Sequence, residues 1–221
     1  MKYFKLLVDR GHGIDTLGKC APDKSLIEWE YADYIARQIV KRTKLVGIDS
    51  QLLVPEQRDI SLTTRCNRVN NWCYKLGKQN VILLSIHVNA AGMGKNWLKA
   101  GGWCCFTSKG ETKSDTIAEY LYDAAEDNLS EYIKTFDVYK KTGFYDSKQR
   151  PIRTDKSDGD RDWEANFAMV HNTLCPAVLT ENLFQDNRQD VKYLLSEEGK
   201  EAIINLHVDG IINYIKSVSN D

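Results

Sequence analysis

Val81-Ile82-Leu83-Leu84-Ser85-Ile86-His87-Val88-Asn89-Ala90 is a mostly apolar run that ends on a histidine and an asparagine. The run reads as a core strand, and alternation aims His87 and Asn89 to the same side of its end. Phe4-Lys5-Leu6-Leu7-Val8-Asp9 repeats the pattern and runs into Arg10-Gly11-His12-Gly13. Near the C-terminus, Pro176-Ala177-Val178-Leu179-Thr180 delivers Glu181 to the same kind of position. An open α/β sheet gathers its chemistry at the carboxyl ends of its strands, so these three side chains point to one shared site. Two histidines and a carboxylate are the raw material of a catalytic zinc centre.

Between these strands the pattern changes period. Residues 25–45 place Ile27, Tyr31, Ile35, Ile39 and Val40 at helical spacing, with Gly47 as a stop signal. A short strand over 50–54 follows, and Asp59 or Ser61 can cap a second helix through about Leu76, ended by Gly77. Gly102-Trp103-Cys104-Cys105-Phe106-Thr107 reads as another strand, and a third helix is expected over roughly 113–132. From about 134 to 162 the pattern weakens into a polar segment, predicted to be a mobile rim beside the site. A helix over 163–172, the strand into Glu181 and a closing helix over 197–218 complete the chain. The alternation predicts a single α/β domain over 1–221, its mostly parallel central sheet flanked by helices on both faces.

Bulk composition narrows the function classes. With 221 residues and 42% hydrophobic content the chain can bury one substantial core. Thirty Lys and Arg against 31 Asp and Glu give a net charge of -1, with no basic patch for nucleic acid. No apolar run reaches the ~20 residues of a membrane-spanning helix. The N-terminal stretch is too short and too soon interrupted for a signal peptide. The expectation is a soluble monomer made in the cytoplasm, without nucleic-acid or membrane partners. Six cysteines, at 20, 66, 73, 104, 105 and 175, show no C-x-x-C pairing, which favours free thiols in a reducing compartment. Adjacent Cys104 and Cys105 should face opposite ways.

Each candidate has a plainer reading beside it. His12, between two glycines, fits a loop that a ligand or metal approaches closely, but lone loop histidines are commonly just solvated. Gly13-Ile14-Asp15-Thr16-Leu17-Gly18-Lys19-Cys20 nearly spells a phosphate loop, which would make a nucleotide-binding protein. Cys20 lacks the hard oxygen that magnesium needs, and Pro22 and Asp23 interrupt the helix that should cradle phosphates. Glu28 and Glu30 both sit in the first turns of the first helix, where acids also favour the helix dipole. Sequence physics leaves the choice between them open. His87 could be a buried, hydrogen-bonded histidine, and Glu181 could cap the segment after it. His207 shares a stripe with Ile203, Ile204, Ile211 and Ile215 and reads as core, while His171 has no flanking motif.

Five ordered blocks carry a family resemblance. Asp9-Arg10-Gly11-His12-Gly13 resembles the D-P-G-H-G opening of the zinc-dependent N-acetylmuramoyl-L-alanine amidases of the amidase_3 type. Glu28-Trp29-Glu30-Tyr31-Ala32-Asp33-Tyr34-Ile35-Ala36 looks like their E-K-D-x-N-x-x-I-A helix. Asp59-Ile60-Ser61-Leu62 through Arg65 and Asn70 is similar to D-x-x-L-x-x-R-x-x-x-A-N. Ser85-Ile86-His87-Val88-Asn89-Ala90 matches S-I-H-x-N-A. Pro176-Ala177-Val178-Leu179-Thr180-Glu181-Asn182-Leu183-Phe184-Gln185-Asp186-Asn187 matches P-A-V-L-x-E-x-x-F-x-x-N. The ungapped register of the helix puts the family's metal-binding glutamate on Glu28. The departures are Arg10 for proline, Ile14 for glycine, Ala32 for asparagine and Leu183 for glycine.

The resemblance implies a zinc ion held by His12, Glu28 and His87 with an open position for water, and Glu181 as general base. It implies cleavage of the amide between N-acetylmuramic acid and L-alanine of the stem peptide in peptidoglycan or muramyl peptides. Arg10, Asn89 and Arg65 are read as substrate-binding residues. The lack of an export signal resembles a phage or prophage endolysin, acting on the wall after release at lysis. The rival readings are a non-catalytic peptidoglycan-binding module on this fold and the phosphate-loop protein. The module would be expected to lack a ligand or Glu181.

Overall fold

The computed structural model describes residues 3–220; Met1, Lys2 and Asp221, which the expected domain span includes, lie outside the described residues. The strands are β1 (Lys5–Arg10), β2 (Asp49–Leu52), β3 (Val81–Asn89), β4 (Cys104–Thr107), β5 (Trp163–Glu164) and β6 (Ala177–Phe184). They form a six-stranded sheet in the order β2-β1-β3-β6-β4-β5. β2, β1, β3 and β6 pair in parallel, and β4 pairs antiparallel with β6. The expected α/β class with a mostly parallel sheet is what the chain adopts.

Alternation along the strands splits the core in two. Leu6, Val8, Ile82, Leu84 and Ile86 face the helices α1 (Glu28–Leu45), α3 (Lys113–Asn128) and α7 (Glu197–Asn220). Leu7, Val81, Leu83 and Leu179 face α2 (Leu62–Leu76) and α5 (Ala168–His171). α1 buries Ala32, Ile35, Ala36 and Ile39, a stripe at helical spacing. Each fully buried isoleucine in such a stripe contributes about 1.5–3 kcal/mol. α2 starts where Ser61 Oγ accepts the Thr64 N–H at 3.3 Å, so Ser61 is the cap. Among the described residues, no helix is long and apolar enough to cross a membrane.

The segment after α3 departs from the sequence expectation. α3 ends at Asn128, and α4 (Ser130–Lys141) occupies the first part of the stretch expected as a polar rim. Tyr132 and Phe136 of α4 are buried, and Phe136 stacks on Tyr145 with ring centroids 3.9 Å apart. Leu129, Tyr132, Ile133, Phe136 and Tyr139 stand at helical spacing, so the sequence does carry the signal of this helix, beneath the segment's polar composition. The helix expected over 163–172 is also corrected. Trp163 and Glu164 instead extend the sheet beside Phe106 and Thr107, and only the short α5 is helical. A further helix, α6 (Arg188–Leu195), starts at Asn187, whose side chain accepts from Gln189 N and Asp190 N.

Candidate active site

The strand register builds the site. Asp9 and Arg10 of β1 lie beside Ser85 and Ile86 of β3, and Gly11 N–H donates to Ile86 O at 2.9 Å. His12 therefore leaves β1 just where His87 leaves the core of β3. His87 in turn is the register partner of Glu181 on β6. Neighbours paired this way point to the same face of a sheet. A bulge follows at once: Asn89 pairs with Phe184, and Leu183 takes a φ of 63°. Asn182 fixes this corner by donating to His87 O at 2.9 Å and accepting from Trp103 Nε1 at 3.0 Å.

Glu28 comes from the other direction, at the start of α1, and is 1% exposed. Its Oε1 accepts the Val88 N–H at 3.1 Å and lies 3.2 Å from His87 Nδ1. Its Oε2 lies 3.4 Å from His12 Nε2 and has no hydrogen-bond partner. Glu30, two residues on, is exposed. The helix thus makes the choice that helical geometry left open. Burial alone would push the Glu28 carboxyl up, but His12 and His87 outweigh it and hold the group well below the usual carboxylate range. Burial opposes the charged form of His87, yet Glu28 prevails and raises its pKa.

The two glycines around His12 serve close packing. A Cβ on Gly11 would sit 2.5 Å from His87 Nδ1, and one on Gly13 would sit 2.1 Å from the Asp59 backbone nitrogen. His12 itself has a φ of 62°, a left-handed conformation unfavourable for a residue with a Cβ. Arg10 and Arg65 both donate to its carbonyl oxygen, the latter at 2.9 Å, and hold the turn in place.

Two residues expected at the substrate are thus engaged within the protein. Arg10 is 1% exposed, also donates to Glu56 O and lies 3.3 Å from Asp33 Oδ1, so its guanidinium is engaged by loop carbonyls and an acid of α1. Arg65, 2% exposed, binds Asp9 Oδ1 and Asp59 Oδ1, both at 2.8 Å, and donates to Ile60 O at 2.8 Å. It is a buried brace as well. Asn89 is half-buried, and its Oδ1 accepts the Ala90 N–H at 2.8 Å, which shapes the chain leaving β3.

Glu181 lacks a partner for its buried Oε2. Burial pushes its carboxyl up to about 7; the charge on Glu28 adds to this, and His87, Lys19 and Arg153 oppose it. Lys19 and Arg153 are the residues that sequence reasoning missed. Arg153 is held with its guanidinium carbon 5.4 Å from the Trp163 ring centroid and 5.1 Å from that of Phe184. No motif marks it, because it reaches the site from the long segment by tertiary packing alone. Cys104, on the other side of Glu181, is a thiol that burial pushes up to about 12, so it stays neutral.

The remaining histidines stand apart. His207 is fully buried, hydrogen-bonds Thr180 Oγ1 at 2.8 Å and Ile203 O at 2.6 Å, and has its pKa lowered to about 4 by burial. His171 is exposed. The phosphate-loop alternative also fails, because Cys20 bridges to Ile27 and the helix starts only at Glu28. No helix N-terminus follows the loop directly to receive phosphates.

One donor atom each from His12, Glu28 and His87 lies within 4.8 Å of the others. Two imidazole nitrogens and a carboxylate oxygen of Glu28, whose Oε2 has no hydrogen-bond partner, make a three-donor set that can hold a metal ion. A groove of about 270 Å³ opens beside them, lined by His12, His87, Asp59, Ser61, Leu62 and Met169.

Residues 6–213 match the Amidase_3 family, N-acetylmuramoyl-L-alanine amidase, and the chain belongs to that family. It is therefore an N-acetylmuramoyl-L-alanine amidase, an enzyme of peptidoglycan hydrolysis. It is 23% identical to N-acetylmuramoyl-L-alanine amidase CwlM of Bacillus licheniformis over 209 residues, 94% of this chain and 67% of the relative. The fold is shared with an N-acetylmuramoyl-L-alanine amidase from Clostridium difficile 630, at a TM-score of 0.71 and 22% identity, covering 97% of this chain and 98% of the other. It is shared too with AmiC2 of Nostoc punctiforme, at a TM-score of 0.71 and 16% identity, covering 96% of this chain and 97% of the other.

Proposed function

We propose that His12, Glu28 and His87 hold a zinc ion and that Glu181 is the general base for cleaving the amide between N-acetylmuramic acid and L-alanine. The observation that carries this reading is the pairing of His87 with Glu181 across β3 and β6, beside a three-donor cluster that contains an orphaned carboxylate oxygen. Bound there, zinc would supply Lewis acidity, polarising the amide carbonyl and lowering the pKa of water to about 7.

Glu181 takes the proton from the water that attacks the lactyl carbonyl carbon. It then hands that proton to the alanine nitrogen as the C–N bond breaks, leaving a lactyl carboxylate and a free amine. A group whose pKa lies at about 7 is suited to both transfers near neutral pH. Lys19 and Arg153 partly offset burial and the charge on Glu28, which keeps the ionised, proton-accepting form of Glu181 within reach near neutral pH. Asp9 accepts from Arg65 at 2.8 Å and from Ser85 Oγ at 2.9 Å, fixing β1 to β3 beneath the two histidines. A binding module without catalysis would have no use for an unpartnered glutamate beside such a cluster.

The test is digestion of purified sacculi by the zinc-loaded protein, with the new ends identified by mass spectrometry. New amino-terminal L-alanine on released stem peptides is the expected product. New reducing sugars or cleaved cross-bridges without free L-alanine would overturn the assignment.

A further inference from the structure

A second group of carboxylates lies at the opposite edge of the sheet. β4 runs antiparallel to β6, with Cys104 beside Glu181 and Phe106 beside Leu179, so Thr107 is carried away from Glu181 toward the start of β6. There Thr107 Oγ1 donates to Asp162 Oδ2 at 2.6 Å. Ser114, at the start of α3, accepts the Ala177 N–H at 3.0 Å and ties that helix to the same edge. Asp115, Asp160 and Asp162 converge here, a carboxylate oxygen of each within 4.8 Å of the others.

Acidic residues often cluster without purpose on a surface, but two features set this group apart. Asp162 is 1% exposed and its Oδ1 is buried without a hydrogen-bond partner. Asp160 Oδ1 is buried and unpartnered too. Arg161, between the two aspartates in sequence, is turned away: it binds Glu119, Asp123 and Glu126 along α3. The cleft above the cluster holds about 790 Å³, and its described lining contains Asp158, Asp160 and Glu164 but neither lysine nor arginine. Asp160 and Asp162 face one another closely enough to share a proton, and holding both charged without a cation is costly.

We infer that Asp115, Asp160 and Asp162 form a binding site for an oxygen-seeking divalent cation of the calcium type. All-carboxylate donors select hard cations, and calcium accepts six to eight oxygens in flexible geometry, which suits a set shared between a loop and a helix start. Magnesium demands near-ideal octahedral geometry and gives up its water reluctantly, so it is the weaker fit. Asp115 already serves a capping box with Thr112, but each carboxylate oxygen keeps a further lone pair for an ion. Burial, with the charges of Asp160 and Asp115, pushes the Asp162 carboxyl up to about 7, the electrostatic strain that a bound cation relieves. The ion would clamp the 155–162 loop to the start of α3. That loop belongs to the same long segment that brings Arg153 to Glu181.

Isothermal titration of the zinc-loaded protein with calcium chloride tests this. One calcium ion per chain is expected, with a dissociation constant on the order of 10⁻⁴–10⁻³ M and weaker magnesium binding. Terbium should luminesce when excited through the adjacent Trp163. Asp160→Asn with Asp162→Asn should abolish both signals while leaving zinc content unchanged, and should melt no lower than the parent without calcium. If that pair fails to fold, Asp160→Asn alone should weaken calcium at least tenfold. His12→Ala with His87→Ala should bind calcium as the parent does. Absence of calcium heat in the parent, binding undiminished in the folded aspartate variants, or loss of binding in the histidine pair would overturn the site.

Discussion

The two edges of the sheet carry clusters of similar size and opposite chemistry. At the carboxyl ends of β1 and β3, two imidazoles and one buried carboxylate meet, so the donor set carries a single negative charge. At the other edge three carboxylates meet, and the nearby arginine is engaged elsewhere. The first set suits a borderline-soft ion that keeps an open position and a net positive charge for chemistry. The second suits a hard ion whose charge is largely neutralised, which makes it a clamp. Only the first has an unpartnered glutamate as its cross-strand neighbour.

That contrast can be broken first at the histidines. His12→Ala with His87→Ala should remove zinc and amidase activity together, measured by elemental analysis and sacculus digestion on one preparation. Stoichiometric zinc in the double variant would move the metal elsewhere. A second, smaller effect separates brace from site. Arg65→Ala leaves Asp9 buried without its ion pair and should cost roughly 3–5 kcal/mol in denaturant unfolding. A variant with an unchanged melt and a raised KM would restore Arg65 as a substrate contact.

Glu28→Gln should weaken zinc by roughly 10–100-fold or more in a chelator competition, since even groups behind the ligands are worth that much. Glu30→Gln, at an exposed position, should change little. The reverse ranking would mean that α1 presents its other acid. The smallest effect is on stability without metal. The Glu181 carboxyl is raised from 4.5 to about 7, so its neutral form is favoured in the fold, and stability is lost as pH rises through that range. In metal-free protein, Glu181→Gln should therefore match the parent below pH 4.5 and exceed it above pH 7, by on the order of 1–3 kcal/mol. An equal gap at both ends of the range would show that burial does not raise this carboxyl.

The meeting of His12, His87 and Glu181 at one end of the sheet was legible in the sequence because these groups sit at the ends of apolar runs, where parallel pairing must bring them together. His12, His87 and Glu181 needed only that rule, and Glu28 needed the family register. The roles of Arg10 and Arg65 were not legible. A charged residue beside a ligand looks the same in sequence whether it faces a substrate or a neighbour's carbonyl oxygens. Arg153 and Asp162 were hidden for a different reason. Both lie in a long segment whose path depends on the antiparallel turn of β4 and on the stacking of Phe136 against Tyr145, a contact that no helical or strand period announces.

Glu181→Gln in the zinc-loaded protein tests the central claim most directly, with zinc content, melting temperature and turnover of a muramyl peptide measured on one sample. The substitution keeps the shape of the side chain and removes its basic oxygen. The expected result is full zinc, an intact cooperative melt and a turnover reduced by roughly 10²–10⁴-fold, with little change in KM. A zinc-replete, well-folded variant that hydrolyses at nearly the parent rate would contradict the account.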